Sequence, residues 1–114
     1  MNAREAKPQP KDRDLELARE YARRLRERLG DNLVAVTLYG SRARGDAREG
    51  SDFDLIVLVR ERTEEIRETV TDIDVGMMNE YGVLFVGIPY DEGEWSLEAT
   101  VPFGWNVTRE GVGV

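Results

Sequence analysis

The sequence has no cysteine and no histidine among its 114 residues. Their absence excludes disulfide bonds, thiolate nucleophiles, zinc sites built on Cys or His, and acid–base catalysis by imidazole. Any chemistry must therefore use carboxylates, Arg and Lys side chains, hydroxyl groups and backbone amides. Sites rich in oxygen ligands of this kind suit Mg²⁺, and Mn²⁺ is a second candidate.

Long apolar runs and an excess of positive charge are also missing. No stretch approaches the ~18 apolar residues of a membrane-spanning helix, and the N-terminus is polar, so we expect no membrane span, no signal peptide and a cytoplasmic location. Lys and Arg number 16 against 23 Asp and Glu, which gives a net charge of −7. An extensive nucleic-acid-binding surface is not expected, because phosphate neutralisation needs a basic field. A local basic pocket for one nucleotide is compatible with this charge.

The length fits one compact domain. Residues 1–11 combine two prolines with charged residues and lack apolar periodicity, which predicts a flexible tail. A single domain is predicted over residues 12–114. It begins with a helix capped by Asp12 or Asp14 and ended at Gly30. Apolar residues recur along this helix at intervals of three and four: Leu15, Ala18, Ala22, Leu25 and Leu29.

Three apolar runs predict buried strands at residues 33–39, 53–59 and 82–90, the last stopped by Pro89. Between the second and third runs, Thr63 caps an amphipathic helix on which Asp72 and Asp74 are expected to be surface acids. Short helical segments follow near residues 94–99 and 104–110. This order predicts an α+β fold, a small sandwich of strands and covering helices.

The stretch "LYGSRARGDAREGSDFDL", residues 38–55, places two acids at the start of a buried strand. Alternation along the strand puts Asp52 and Asp54 on one face, about 6–7 Å apart. They would repel each other unless a cation lay between them, and Mg²⁺ usually takes one or two carboxylates together with water and phosphate oxygens. An acidic surface turn is the ordinary alternative for such a pair taken alone.

Gly40 and Ser41 end the preceding strand and favour phosphate binding. Glycine lets the backbone approach a phosphate closely, and Ser41 adds a hydroxyl group beside exposed amides. Arg42 and Arg44 supply charged donors that could hold a phosphate tail. Phosphate-binding and metal-binding groups would then meet across two adjacent strands, which favours a functional site over two unrelated turns.

The Gly-Ser pair, ten residues, and the D-x-D pair match the signature of the polymerase-β-like nucleotidyltransferase superfamily. The fuller string "GSRARGDAREGSDFDLIV" resembles its minimal nucleotidyltransferase branch, and "PFGWNVTREGV" is similar to the ends of some minimal members. The resemblance implies a mixed sheet of three or more strands flanked by helices. It also implies Mg²⁺ held by Asp52 and Asp54, and a nucleoside triphosphate, ATP or another, bound by the Gly-Ser pair, the two arginines and Ser51.

The implied reaction is transfer of a nucleoside monophosphate to a hydroxyl group with release of pyrophosphate. Minimal members often pair with a small helical toxin of the HEPN type and act as antitoxins, by adenylylating a tyrosine of the toxin or by binding it. A homo-oligomer is a further expectation for so small a domain. Trp95, Phe103 and Trp105 are interpreted as lids on the core rather than as partner contacts.

One departure from the family pattern keeps alternatives open. The third carboxylate of the family normally lies on the strand that is here "GVLFVGIPY", which has no acid, while Glu80 precedes the strand and Asp91 follows it. The hypotheses are therefore an active nucleotidyltransferase, a catalytically weak or inactive module that binds a partner protein, and a structural domain without a ligand.

Overall fold

The computed structural model describes residues 8–114, so most of the predicted tail, residues 1–7, lies outside the described residues. The described chain is an α+β domain in which a mixed sheet is flanked by helices, as predicted. The elements are α1 (Asp12–Leu29), a short 3₁₀ turn (Gly30–Asn32), β1 (Leu33–Tyr39), α2 (Ser41–Arg44), β2 (Phe53–Val59), α3 (Glu64–Tyr81), β3 (Phe85–Asp91), α4 (Glu92–Glu98), α5 (Pro102–Glu110) and β4 (Val112–Gly113).

The sheet has the order β3-β2-β1-β4. Strand β1 runs antiparallel to both β2 and β4, whereas β2 and β3 are parallel. Because β2 pairs on both sides, its continuous apolar run is accounted for: five of its seven residues are buried. The same pairing fixes the place of Asp54, which lies inside β2 opposite Tyr39 of β1.

One face of the sheet packs against α1 and α3 to form the core. Strand β2 contributes alternate residues to it, as a period of two requires. The largest fully buried side chains are Tyr21, Phe53, Phe85, Leu25, Leu38, Leu55 and Met77. Each such side chain stabilises the fold by roughly 1.5–3 kcal/mol relative to an exposed position.

Helix α1 forms where it was predicted, but the prediction of its cap is wrong. Lys11 occupies the N-cap position without a side-chain hydrogen bond, and Asp12 and Asp14 lie in the first helical turn. The buried stripe includes Leu17 and Tyr21. The buried face is therefore rotated about the helix axis relative to the predicted one. The sequence pattern did not predict this rotation, because leucines occur on both sides of the buried face and packing against α3 and β3 decides which of them are buried.

Strand β3 differs from the prediction at both ends. It starts at Phe85 rather than at residue 82, and it continues through Pro89 to Asp91. Proline lacks a donor N–H and normally ends an inner strand, yet it is tolerated on the edge of a sheet. Since β3 is an edge strand, Pro89 can keep its place opposite Val57 of β2.

Thr63 caps α3 as predicted, since its Oγ1 accepts a hydrogen bond from the amide of Ile66. The expectation that Asp74 is a surface acid is wrong. Its carboxylate accepts hydrogen bonds from the Tyr21 hydroxyl at 2.6 Å and from the Gly87 amide at 3.3 Å. Burial raises the pKa of Asp74 to about 6, against hydrogen bonds that lower it. Asp72, by contrast, is exposed.

The C-terminal part lies over the other face of the sheet. Asp91 and Glu94 form a reciprocal capping box at the start of α4, and Pro102 begins α5. Strand β4 then pairs with β1; it was not predicted, because two residues carry no periodicity. No helix among residues 8–114 has the length and apolar character needed to cross a membrane.

Candidate active site

The Gly-Ser pair forms the connection between β1 and a single turn of helix. Gly40 has φ 79° and ψ −159°, and α2 begins at Ser41. The carbonyl of Gly40 accepts hydrogen bonds from the amides of Ala43 and Arg44, both at 3.1 Å. The first amides of a helical turn have no partner within it, so they are available to an anion.

Gly40 also lies directly against Asp54. A Cβ atom on Gly40 would stand 2.7 Å from Oδ2 of Asp54, closer than real Cβ contacts allow. The glycine therefore serves two needs, a positive φ and room for the carboxylate. Gly40 and Asp54, which were predicted to meet across neighbouring strands, are in contact here.

The two aspartates differ in their surroundings. Asp52 is exposed, while Asp54 is partly buried on the face of the sheet away from α1 and α3. Burial raises the pKa of Asp54, and the negative charge of Asp52 raises it further. A cation near both carboxylates would offset this unfavourable burial and repulsion. Their oxygen ligands fit Mg²⁺ bound jointly with water and phosphate, although no cluster of three or more acidic ligands occurs in the described range.

Strand β3 places no acid opposite Asp54. Val86 is the cross-strand partner of Asp54, so an apolar side chain stands at the position closest to the aspartate. Asp91 belongs to β3 but pairs with Val59, about 16 Å further along at ~3.3 Å per residue. Its carboxylate accepts a hydrogen bond from the amide of Glu94 at 2.8 Å. Asp91 therefore caps α4 and lies far from the D-x-D pair.

Arg42 is held by the protein on several sides. Its Nε and Nη2 donate to the carbonyl oxygen of Ser51 at 3.1 and 2.7 Å, and its Nη1 donates to Oδ1 of Asp14 at 3.0 Å. The guanidinium carbon lies 4.5 Å from the ring centre of Phe53, a cation–π geometry. Arg42 is thus in contact with the residues on either side of Asp52. Asp14 was not predictable as the partner of Arg42, because the two residues are far apart in the chain.

Arg44 is more open to solvent. Its guanidinium faces Asp46 at 3.3 Å and Glu110 at 3.5 Å. It also lines a cavity of about 390 Å³ with residues of the chain termini, including Arg109, and this cavity includes neither aspartate of the D-x-D pair. The hydroxyl group of Ser51 stabilises the preceding turn, since its Oγ accepts a hydrogen bond from the amide of Arg48 at 3.0 Å.

Two pairs of aromatic side chains lie on the face of the sheet that carries Asp54. The Tyr39 and Phe103 rings meet edge to face at 5.6 Å, and Tyr90 and Trp95 do so at 5.2 Å. Burial raises the pKa of Tyr39 to about 12, and the charge of Asp54 adds to this effect. Trp95 is partly buried and packs on the sheet, as predicted, whereas Phe103 and Trp105 are 37% and 57% exposed, so their interpretation as lids on the core is wrong.

Comparison with known proteins identifies the family. Residues 18–103 match the family model of the nucleotidyltransferase domain. Two proteins of Methanocaldococcus jannaschii, both provisionally named protein adenylyltransferases, are similar to this chain. The first is 30% identical over 86 residues, which cover 73% of this chain and 58% of the relative. The second is 34% identical over 77 residues, which cover 67% of this chain and 78% of the relative.

A solved structure supports the same assignment. The crystal structure of a provisionally assigned nucleotidyltransferase from Sulfolobus solfataricus, at 1.40 Å resolution, matches with a TM-score of 0.57 and 27% sequence identity. The match covers 89% of this chain and 78% of that one. The mixed sheet, the Gly-Ser connection against the D-x-D strand, and these similarities agree with one another, and the chain belongs to the nucleotidyltransferase domain family.

Proposed function

We propose that this chain transfers a nucleoside monophosphate, AMP from ATP, to a hydroxyl group of a protein, with Mg²⁺ or Mn²⁺ at Asp52 and Asp54. The contact between Gly40 and the Asp54 carboxylate carries the proposal, because it joins a phosphate-binding backbone to a pair of metal-binding carboxylates. AMP is chosen because the M. jannaschii relatives are named adenylyltransferases.

In the proposed reaction the acceptor oxygen forms a bond to the α-phosphorus of ATP. The bond from that phosphorus to the oxygen that bridges to the β-phosphate breaks, pyrophosphate leaves with the electron pair, and the hydroxyl proton passes to solvent. Asp52 and Asp54 would hold divalent ions, which would neutralise charge on the phosphates and activate the attacking oxygen. The backbone at Gly40 and Ser41 holds the triphosphate, and Arg44 adds a positive charge beside it.

A protein acceptor is supported by the names of the two relatives, and an antitoxin role by the likeness of the motif to the minimal branch. The acceptor in this proposal is a tyrosine of a small helical toxin of the HEPN type. The excess of acidic over basic residues agrees with a protein rather than a nucleic-acid acceptor.

The test uses ATP labelled at the α-phosphate, Mg²⁺ and a purified HEPN-type protein. We expect label on the protein and release of pyrophosphate, and we expect both to disappear with EDTA and in the Asp52→Asn and Asp54→Asn variants. Calorimetry with Mg²⁺ and a non-hydrolysable ATP analogue measures binding separately. Absence of both transfer and nucleotide binding in the unmodified chain would rule the proposal out.

Val86 favours a second candidate, a module of this family that binds its partner without transfer. An apolar residue at the position beside Asp54 removes one ligand that would hold the metal near the acceptor oxygen. The double variant Asp52→Asn/Asp54→Asn separates the two candidates. If the chain is a pure binder, the double variant keeps both its affinity for the HEPN-type protein and its ability to neutralise that protein. If the chain is an enzyme, the double variant loses the ability to neutralise it.

A further inference from the structure

Asp52 lies between Ser51 and Phe53, and Arg42 contacts both of these residues. The carbonyl of Ser51, on one side, accepts two hydrogen bonds from the Arg42 guanidinium, and the ring of Phe53, on the other, lies against its face. Asp52 itself is exposed and precedes β2. Arg42 therefore contacts the residues on both sides of Asp52, in addition to the pairing of Phe53 with β3.

Arg42 is in turn held by Asp14. The two side chains are only 12% and 7% exposed, and Nη1 of Arg42 lies 3.0 Å from Oδ1 of Asp14. The other carboxylate oxygen of Asp14 is buried and has no hydrogen-bond partner in the described part of the chain. A buried ion pair with an unsatisfied oxygen is weak as a source of stability, because apolar residues of similar size would often serve as well. A role of the ion pair in holding the Arg42 side chain in one position explains its burial better.

The other use of Arg42, as a direct phosphate ligand, fits these contacts poorly. Three of its nitrogen atoms already donate to protein oxygens, and one face of the guanidinium is covered by the Phe53 ring. Arg44 has three times the side-chain exposure, 36% against 12%, and is the more accessible of the two to a ligand.

We propose that Arg42 and Asp14 form a positioning pair, in which Arg42 holds the Asp52 backbone for metal binding and Asp14 holds Arg42. The proposal deepens the proposed function and rests on it where it concerns metal binding. Neither residue touches the substrate. Supporting groups of this kind typically change metal affinity by about 10–100-fold when they are removed.

The test compares Arg42→Lys and Asp14→Asn with a matched control, Arg24→Lys. Lysine keeps the charge of Arg42 but cannot donate twice to the Ser51 carbonyl and cover the Phe53 ring. Arg24 is a partly buried arginine of α1 that pairs with Glu20 and with Glu80 of α3. Asp14→Asn keeps the shape of the side chain, so it decides the matter if Arg42→Lys does not fold.

Two measurements are made on each variant. The first is amide hydrogen exchange of residues 51–54 without ligand, which we expect to accelerate at least tenfold in Arg42→Lys and Asp14→Asn and to stay unchanged in Arg24→Lys. The second is the Mg²⁺ concentration that half-saturates binding of a non-hydrolysable ATP analogue, which we expect to rise roughly 10–100-fold in the same two variants. The double variant should equal Arg42→Lys alone, because Asp14 acts through Arg42.

A different pattern overturns the positioning pair. If Arg42→Lys weakens binding of the analogue equally with Mg²⁺ and with EDTA while exchange at residues 51–54 is unchanged, Arg42 contacts the phosphates. Unchanged exchange in both variants also refutes the pair. If the unmodified chain binds no analogue at all, the proposed function fails, and the exchange measurement still decides whether the pair locates this segment.

Discussion

Replacement of Asp74 by Asn should remove a specific pH dependence of stability. The carboxylate of Asp74 is partly buried between the Tyr21 hydroxyl and the Gly87 amide, and burial raises its pKa to about 6 from an ordinary 3.8. The folded chain therefore binds a proton more tightly than the unfolded chain. Stability from this group is fully present below the unfolded pKa and is lost as the pH rises through about 6.

The magnitude follows from the two pKa values. At ~1.4 kcal/mol per pH unit the full difference corresponds to about 3 kcal/mol, of which roughly half is realised by pH 5. Partial exposure of the carboxylate reduces this, so we expect the free energy of unfolding to be about 1 kcal/mol higher at pH 5 than at pH 7.5 through Asp74 alone. Asp54, whose pKa is also raised, contributes in the same direction, so the difference between the unmodified chain and Asp74→Asn isolates Asp74.

The assay is urea denaturation at pH 5 and pH 7.5, with Asp72→Asn as the control. Asp72 is on the same helix and exposed, and its change should leave the pH dependence as it is. Glu20 and Glu94, with pKa values lowered to about 2, stay ionised in the folded chain through this window, and any effect they have is common to all three proteins compared. If Asp74→Asn shows the same gain between pH 7.5 and pH 5 as the unmodified chain, the reasoning about Asp74 is wrong.

Three further substitutions test the site and the core. Gly40→Ala should abolish binding of Mg²⁺ with an ATP analogue, because its Cβ would stand 2.7 Å from Oδ2 of Asp54. The control Gly82→Ala also changes a glycine with positive φ, but one with open space around it, so it should cost only ~1–2 kcal/mol of stability and keep binding. Equal binding by the two variants would contradict the role given to Gly40. Val86→Asp should place a third carboxylate beside Asp54 and lower the Mg²⁺ concentration needed for half-maximal binding or transfer, whereas a rise would show that the added charge only repels. Gly87→Ala would set a Cβ 2.0 Å from the buried tyrosine hydroxyl, so it should lower the free energy of unfolding by about 1–3 kcal/mol in urea titrations, and an unchanged value would contradict the packing.

The sequence predicted the parts of the site that depend on local pattern. The apolar runs of β1 and β2 were identified with their observed limits. The Gly-Ser pair was expected to end the preceding strand, and β1 does end at Tyr39, directly before it.

Features that depend on contacts distant in the chain were not predictable in this way. Pro89 was expected to end a strand, because nothing in the sequence indicates that β3 lies at the edge of the sheet. Asp14 and Asp74 have the spacing of ordinary helical surface acids. Their burial is set by Arg42 and by Tyr21, which reach them only after the helices pack on the sheet.

The place of Asp14 bears on how this domain can be divided. The family match spans residues 18–103 and so begins four residues after Asp14, and it ends before β4, which pairs with β1. A fragment cut at those limits would keep both aspartates of the D-x-D pair and the Gly-Ser connection. It would lack the carboxylate that holds Arg42 and the strand that covers the outer edge of β1. Boundaries for truncations, fusions or domain exchange should therefore be drawn outside residues 11–114, even though the recognisable motif occupies a small part of that length.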